Sequence, residues 1–248
     1  MSHRFFIPAQ NIRGAKAILV EEQAHQIGRV LRLLPGEQLF LIANGVEYQA
    51  EITACGANRV ECRLLGSRLP ERDPELTVTV IQCLPKGDKM DLIIQKATEL
   101  GAARIWPALS QRTVKRPAGE RAAKQQRRWE RIAVEAAEQC GRLRWPEIAE
   151  PCPLPELLAD SPGPGVVAWE GEGDASLKDH LQALRETPSL TVLVGPEGGL
   201  TEQEVVMAQA SGLQPVSLGP RILRAETAVI ALLTAIMYEL GDMGGLPR

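Results

Sequence analysis

Two glycine–proline bends lie close together in the C-terminal third of the chain, Gly195-Pro196 and Gly219-Pro220. The first belongs to LTVLVGPEGGLTEQE, residues 190–204. A buried-type strand runs there into Gly195-Pro196-Glu197-Gly198-Gly199, and Thr201 with Glu204 forms a T-x-x-E capping box that opens a helix. Three glycines let the backbone turn sharply and lie close to a ligand. Ligands of open α/β sheets bind beyond the carboxyl ends of strands, where this loop falls. Taken alone, the loop reads equally as an ordinary strand–helix turn. It is no P-loop, because the Lys-Ser/Thr ending is absent, and it lacks G-x-G-x-x-G spacing. Gly171-Glu172-Gly173 comes nearer to that spacing but has Ser176 where the third glycine belongs, and reads as a loop.

The second bend sits in VSLGPRILRAETA, residues 216–228. A strand ends at Gly219-Pro220, a short loop carries Arg221, Arg224, Glu226 and Thr227, and an apolar helix follows. Two strand–Gly-Pro loops so close in sequence predict neighbouring loops at one edge of a sheet, sharing a pocket. Arg224, beside Leu223 at a helix start, suits contact with an anion or substrate; the alternative is a surface salt bridge with Glu226. A third segment, Gln111 to Arg131, carries eight basic residues (Arg112, Lys115, Arg116, Arg121, Lys124, Arg127, Arg128, Arg131) against Glu120 and Glu130. It could neutralise several phosphates, or be a solvated helix face. A fourth, LPKGDKMDLIIQKATELG at 84–101, is by itself an amphipathic helix with no specific message.

These segments need a scaffold. Leu76 to Leu84, Arg104 to Pro107, Gly165 to Trp169, Leu190 to Val194 and Pro215 to Leu218 read as strands. Helices are predicted from Asp88 or Lys89 to Leu100 (closed by Gly101 as a left-handed cap), and over Glu120 to Cys140, Ser176 to Glu186, Thr201 to Ala210 and Glu226 to Leu240. The apolar stripe of the second is Trp129, Ile132, Ala133, Ala136, Ala137 and Cys140. Alternating strand and helix predicts a parallel sheet with helices on both faces. Before it, to about Pro70, lie strands at Glu37 to Ile42, Glu47 to Ile52 and Val60 to Leu65, with the hairpin dipeptide Asn44-Gly45 between the first two. With a short helix over Glu22 to Leu33, this predicts a small, mainly β, barrel-like domain. Ser67 to Glu75 reads as a linker.

Composition narrows the function. The 248 residues, 44% hydrophobic and 24% charged, suit one large or two ordinary globular domains and exclude disorder. Aromatics are only 4%, so base stacking cannot dominate any nucleic-acid surface. With a formal charge of -3, a polyanion could bind only where basic residues gather. Five cysteines without a C-x-x-C pair argue against a disulfide framework or zinc ribbon and for reducing cytosol. MSHRFFIPAQ is not a signal peptide, and no apolar run is long enough to span a membrane. Three scattered histidines remove most metal sites and histidine-activated nucleophiles.

As an ordered set, these segments resemble the RsmE family, the 16S ribosomal RNA uridine-N3 methyltransferases of the SPOUT class. The matching stretches are PKGDKMDLIIQKATELG at 85–101, WERIAVEAAEQCGR at 129–142, LVGPEGGLTEQE at 193–204 and LGPRILRAETA at 218–228, with Arg4-Phe5-Phe6 and HQIGRVLR at 25–32 near the front. The resemblance covers almost the full length. It implies an N-terminal PUA-like RNA-binding β-barrel over residues 1–70. It also implies a SPOUT methyltransferase domain over 74–248, an α/β parallel sheet with a deep trefoil knot. The implied working unit is a cytoplasmic homodimer that binds S-adenosylmethionine and acts on 16S ribosomal RNA or the small subunit, with no membrane and no metal.

The implied cofactor loops are Trp169 and Glu170; Val194, Gly195, Pro196, Glu197, Gly198 and Gly199; and Leu218, Gly219, Leu223, Arg224, Glu226, Thr227 and Ala228. Glu197 or Glu226 could face the sulfonium or fix the loop. Arg224 is the expected catalytic residue, stabilising the uracil anion, or it grips the target phosphate. No histidine lies in the pocket segments, and the general base is not identified. Arg4, Arg29, Arg32, Arg121, Lys124, Arg127 and Arg128 are the expected RNA contacts. The rival readings are a methyltransferase of another RNA, such as a transfer RNA, and a non-catalytic RNA-binding protein that keeps the fold.

Overall fold

The computed structural model describes residues 3–56, 58–70, 73–160, 163–171 and 175–244. Its contacts divide into two units: Met1–Asp73 with Ala137–Arg144, and Pro74–Ala136 with Trp145–Arg248.

The first unit holds β1 (Arg4–Phe6), β2 (Ile12–Arg13), β3 (Lys16–Val20), α1 (Glu21–His25), β4 (Gln38–Ala43), β5 (Val46–Cys55) and β6 (Arg59–Arg68). The strands form one six-stranded sheet in the order β1-β4-β5-β6-β3-β2, with only the β1–β4 pairing parallel. Period-2 alternation sends Leu39 and Leu41 of β4 into a core with Phe5, Leu19, Ile27 and Ile52. Each such side chain contributes about 1.5–3 kcal/mol by burial. Asn44 and Gly45 both take positive φ, 49° and 76°, the turn that matches strand twist in a two-residue hairpin.

The helix expected over Glu22 to Leu33 is shorter. After α1 the chain makes a π turn, Gln26–Val30, and Arg32 then adopts φ 55°, which no right-handed helix can continue. The expected linker also starts late, because β6 runs through Arg68, where Glu47 accepts from the Arg68 guanidinium; Glu71 and Arg72 lie outside the described residues.

The second unit holds β7 (Thr77–Cys83), α2 (Lys89–Glu99), β8 (Arg104–Leu109), α3 (Glu120–Cys140), whose last turn clusters with the first unit, β9 (Glu147–Ile148), β10 (Cys152–Pro153) and α4 (Leu154–Ala159). It continues with β11 (Gly165–Ala168), α5 (Leu177–Ala183), β12 (Ser189–Val194), α6 (Glu202–Ala210), β13 (Leu213–Val216) and α7 (Ala225–Glu239). All its strand pairings are parallel, in the order β10-β8-β7-β12-β11-β13, with β9 beside β8. The expected α/β parallel sheet is present, and a separate N-terminal β-sheet accompanies it.

Alternate residues feed two cores. Val78, Val80 and Val192 pack with Ile93 of α2, Trp129 of α3, Leu181 of α5 and Leu233 of α7. Ile81, Val167 and Leu193 pack with Leu157 of α4 and Val205 of α6 on the other face. The central strands are therefore apolar on both sides, as a parallel sheet requires. Gly165 permits the closest approach: a Cβ there would stand 1.8 Å from the Thr191 carbonyl oxygen. Because the strands run one way, the loops after β11, β12 and β13 leave from the same edge.

Candidate active site

Those three loops enclose one cavity of about 660 Å³. From the end of β11 come Trp169 and Glu170; from β12, Val194, Gly195, Pro196, Glu197 and Gly199; and from beyond β13, Leu218, Gly219, Leu223, Arg224 and Ala228. Both glycine–proline bends thus border the same space. Three expected cofactor residues do not line it. Gly198 turns its carbonyl to Arg112, Glu226 faces Lys89, and Thr227 is exposed on the first turn of α7. Ala168, Leu200, Ser217, Pro220, Arg221, Ile222 and Ala225 complete the wall. Ser217 and Leu218 were expected inside a strand. That strand ends at Val216, and Ser217 pairs only with Ser176 in an isolated bridge. Of the Gly171-Glu172-Gly173 loop, Glu172 and Gly173 lie outside the described residues.

The loop after β12 is fixed from several sides. Thr201 caps α6, and Glu204 completes the capping box. Glu204 is only 2% exposed, and its second oxygen accepts from the Gln111 N–H at 2.7 Å. Arg112 Nη1 donates to the Gly198 carbonyl at 2.5 Å. Gly199 has φ 70°, a left-handed conformation that favours glycine, and its Cα side faces Glu170, whose Oε1 would lie 3.2 Å from a Cβ there. Beneath, fully buried Gln82 donates to Cys83 O at 2.8 Å and to Val194 O and Gly195 O at 3.4 Å each.

Glu197 accepts from the Lys86 N–H at 3.1 Å and from Lys89 Nζ at 2.8 Å. Lys89 also stands 3.4 Å from Glu226 Oε2. Partial burial pushes the Glu197 carboxyl up, but the hydrogen bonds from Lys89 and from two backbone N–H groups outweigh it and hold the group below its ordinary value. The hydrogen bond to Glu197 raises Lys89 in turn. Sequence reading assigned α2 no message. Lys89 and Glu197 are 108 positions apart, and no local pattern announces such a contact.

Arg224 is the N-cap of α7, with extended φ/ψ and no side-chain cap bond. Its alternative partner, Glu226, is taken by Lys89, and Arg224 has no ion pair among the described residues. Its exposed guanidinium stands at the cavity rim with Arg221 and with Ile222, which is 85% exposed. No group of three His, Cys, Asp or Glu side chains among the described residues could hold a metal ion.

The expected RNA contacts fall into two sets. On the first unit, Arg29 and Arg32 are exposed on the π turn and just after it. Arg4 is engaged: its Nε donates at 3.2 Å to Glu47, which is fully buried and also binds Arg68 at 2.5 Å. Both guanidinium groups lie over the Phe40 ring, at 5.4 and 5.1 Å from its centroid. On α3, Arg121, Lys124 and Arg127 are exposed, and Arg128 is paired with Asp91.

A family model described as "RNA methyltransferase domain" matches residues 72–237, and one described as "RNA methyltransferase PUA domain" matches 19–65. With the parallel sheet and its edge cavity, this places the chain in the RNA methyltransferase class. Ribosomal RNA small subunit methyltransferase E of Bacillus subtilis (strain 168) is 35% identical over 246 residues, covering 95% of this chain and 96% of the relative. The chain belongs to the ribosomal RNA small subunit methyltransferase E family. Among solved structures, a methyltransferase from Legionella pneumophila in complex with SAM superposes with TM-score 0.90 at 30% identity, covering 98% of this chain and 100% of that one. Ribosomal RNA small subunit methyltransferase E from Neisseria gonorrhoeae, bound to S-adenosyl methionine, gives 0.84 at 31% identity with the same coverage.

Proposed function

We propose that this chain is an S-adenosylmethionine-dependent methyltransferase acting on N3 of a uridine in 16S ribosomal RNA of the small subunit. The observation that carries this reading is the meeting of both glycine–proline bends around one cavity. The residues present fit the cofactor. The cavity volume is in the range of small-molecule sites. Leu218, Leu223, Val194 and Ala228 offer apolar walls for adenine, and the loop glycines expose backbone donors and acceptors. Glu170 suits a positive sulfonium or ammonium, Glu197 being engaged by Lys89, and Arg221 or Arg224 suits a carboxylate.

Bound there, the cofactor supplies a methyl carbon activated by a positive sulfur. The chain holds donor and acceptor in line. Methyl transfer there would break the S–C bond and form the N3–C bond, leaving the sulfur as a neutral thioether and releasing the N3 proton to bulk water. The Arg224 guanidinium, exposed at the rim, stabilises the charge that grows on the uracil carbonyls. Arg29, Arg32 and the α3 cations hold the RNA backbone.

Finer architecture belongs to the same proposal: a PUA-like β-barrel over residues 1–70 and a SPOUT-type knotted domain over 74–248, working as a cytoplasmic homodimer. The test combines calorimetry of the purified chain with S-adenosylmethionine and mass mapping of modified nucleosides after gene deletion. Loss of N3-methyluridine from 16S ribosomal RNA is expected. Loss from transfer RNA instead would reassign the substrate, and absence of cofactor binding would favour a non-catalytic RNA-binding protein.

A further inference from the structure

Lys89 lies outside the cavity, yet it is ion-paired to a carboxylate from each glycine–proline segment. Glu197 belongs to the loop after β12, and Glu226 to the first turn of α7, two residues after Arg224. We propose that Lys89 is a positioning residue that clamps these two segments together and thereby sets the affinity of the cofactor site. The inference rests on the cofactor reading above.

The geometry argues for a clamp rather than a decorative surface pair. Two carboxylates share one ammonium group, at 2.8 and 3.4 Å. Without it, like charges would face each other across the gap between the segments. Glu226 Oε2 is buried and has no hydrogen bond to relieve it, so loss of the ion pair would leave a desolvated charge alone. Glu197 is also held by the Lys86 N–H, so the turn before α2 and the first residue of α2 both grip that loop. Of the other charged groups near the loop, Arg112 and Glu170 meet it at Gly198 and Gly199 and Glu204 at Thr201. Among the described residues, Lys89 is the side chain ion-paired to both segments.

The test measures S-adenosylmethionine affinity by calorimetry, with apo-protein melting recorded in parallel. Wild type is compared with Lys89→Met, Lys89→Arg, the pair Glu197→Gln/Glu226→Gln, and the triple variant. Lys96→Met, whose lysine pairs with Glu99 on its own helix, is the control. Lys89→Met should weaken cofactor binding about tenfold. Lys89→Arg should recover most of that, and Lys96→Met should change nothing. In the double-Gln background, Lys89→Met should have little further effect, because the repulsion it unmasks is gone. A role confined to folding would lower the melting temperature without rescue of affinity by arginine or by the glutamines, and that result overturns the clamp. Wild-type affinity in Lys89→Met, or a full tenfold loss persisting in the double-Gln background, does so as well while leaving the cofactor reading intact. Absence of binding by the wild type overturns the cofactor reading itself.

Discussion

Arg112 reaches across from the loop after β8 to donate to the carbonyl of Gly198, and its aliphatic stem packs against that residue, 3.4 Å from where a Cβ would stand. One residue of the basic segment therefore acts on the cavity loop. Arg112→Ala should weaken cofactor affinity about fivefold, the worth of about 1 kcal/mol for a solvent-exposed hydrogen bond. Calorimetry checks this; an unchanged constant would show that Glu204 and Thr201 hold the loop unaided.

Arg224 stands at the rim without an ion pair among the described residues, free to meet substrate. Arg224→Ala should keep cofactor binding but lower methyl transfer about a hundredfold or more. Calorimetry paired with a transfer assay separates the two, and full activity would remove Arg224 from the chemistry.

Charge reversal of Arg121, Lys124 and Arg127 should weaken RNA binding across sequences. The slope of log affinity against log salt should flatten by about 0.7 for each phosphate of single-stranded RNA that is no longer neutralised. Filter binding at several salt concentrations tests it; an unaltered slope assigns these side chains to solvent.

Gly165→Ala forces a methyl group against the Thr191 carbonyl within the sheet. Separating β11 from β12 should cost about 3 kcal/mol or more, because backbone rather than a flexible side chain must move. Thermal melting gives the answer directly.

The Glu197–Lys89 pair makes stability depend on pH at both ends. Glu197 titrates below its ordinary value when folded, so its contribution is present above that ordinary value and is lost as pH falls through the lowered one. Lys89 titrates above its ordinary value, so its share is complete below that value and disappears as pH rises through the raised one. Glu197→Gln should flatten the acid limb of a melting-temperature profile. An acid limb identical to wild type would place that dependence elsewhere.

Local signals were legible wherever short-range chemistry decided the outcome. The span of α3 follows from its apolar stripe and Gly141, although Cys140 at the stripe's end is exposed. The Thr201–Glu204 box and the Asn44-Gly45 turn depend on residues a few positions apart. What stayed hidden was set over long distances or by irregular backbone. Examples are the early stop of α1 at a π turn, the exit of Ser217 from the sheet, and the short β10–α4 unit, for which no element was expected. The site divides the same way. Cavity loops were legible from their glycines, whereas Lys89, Gln82 and Arg112 matter through contacts more than eighty positions away.

Helix α7 supplies both Ala225 and Ala228 to the cavity and Val229, Leu232, Leu233 and Ile236 to the larger core. The ligand site and the fold thus share their final piece. During synthesis, a nascent chain that has not yet released this helix has neither a closed sheet face nor a complete cavity. A product truncated before α7 would leave exposed the apolar sheet face that this helix covers, which is an aggregation hazard.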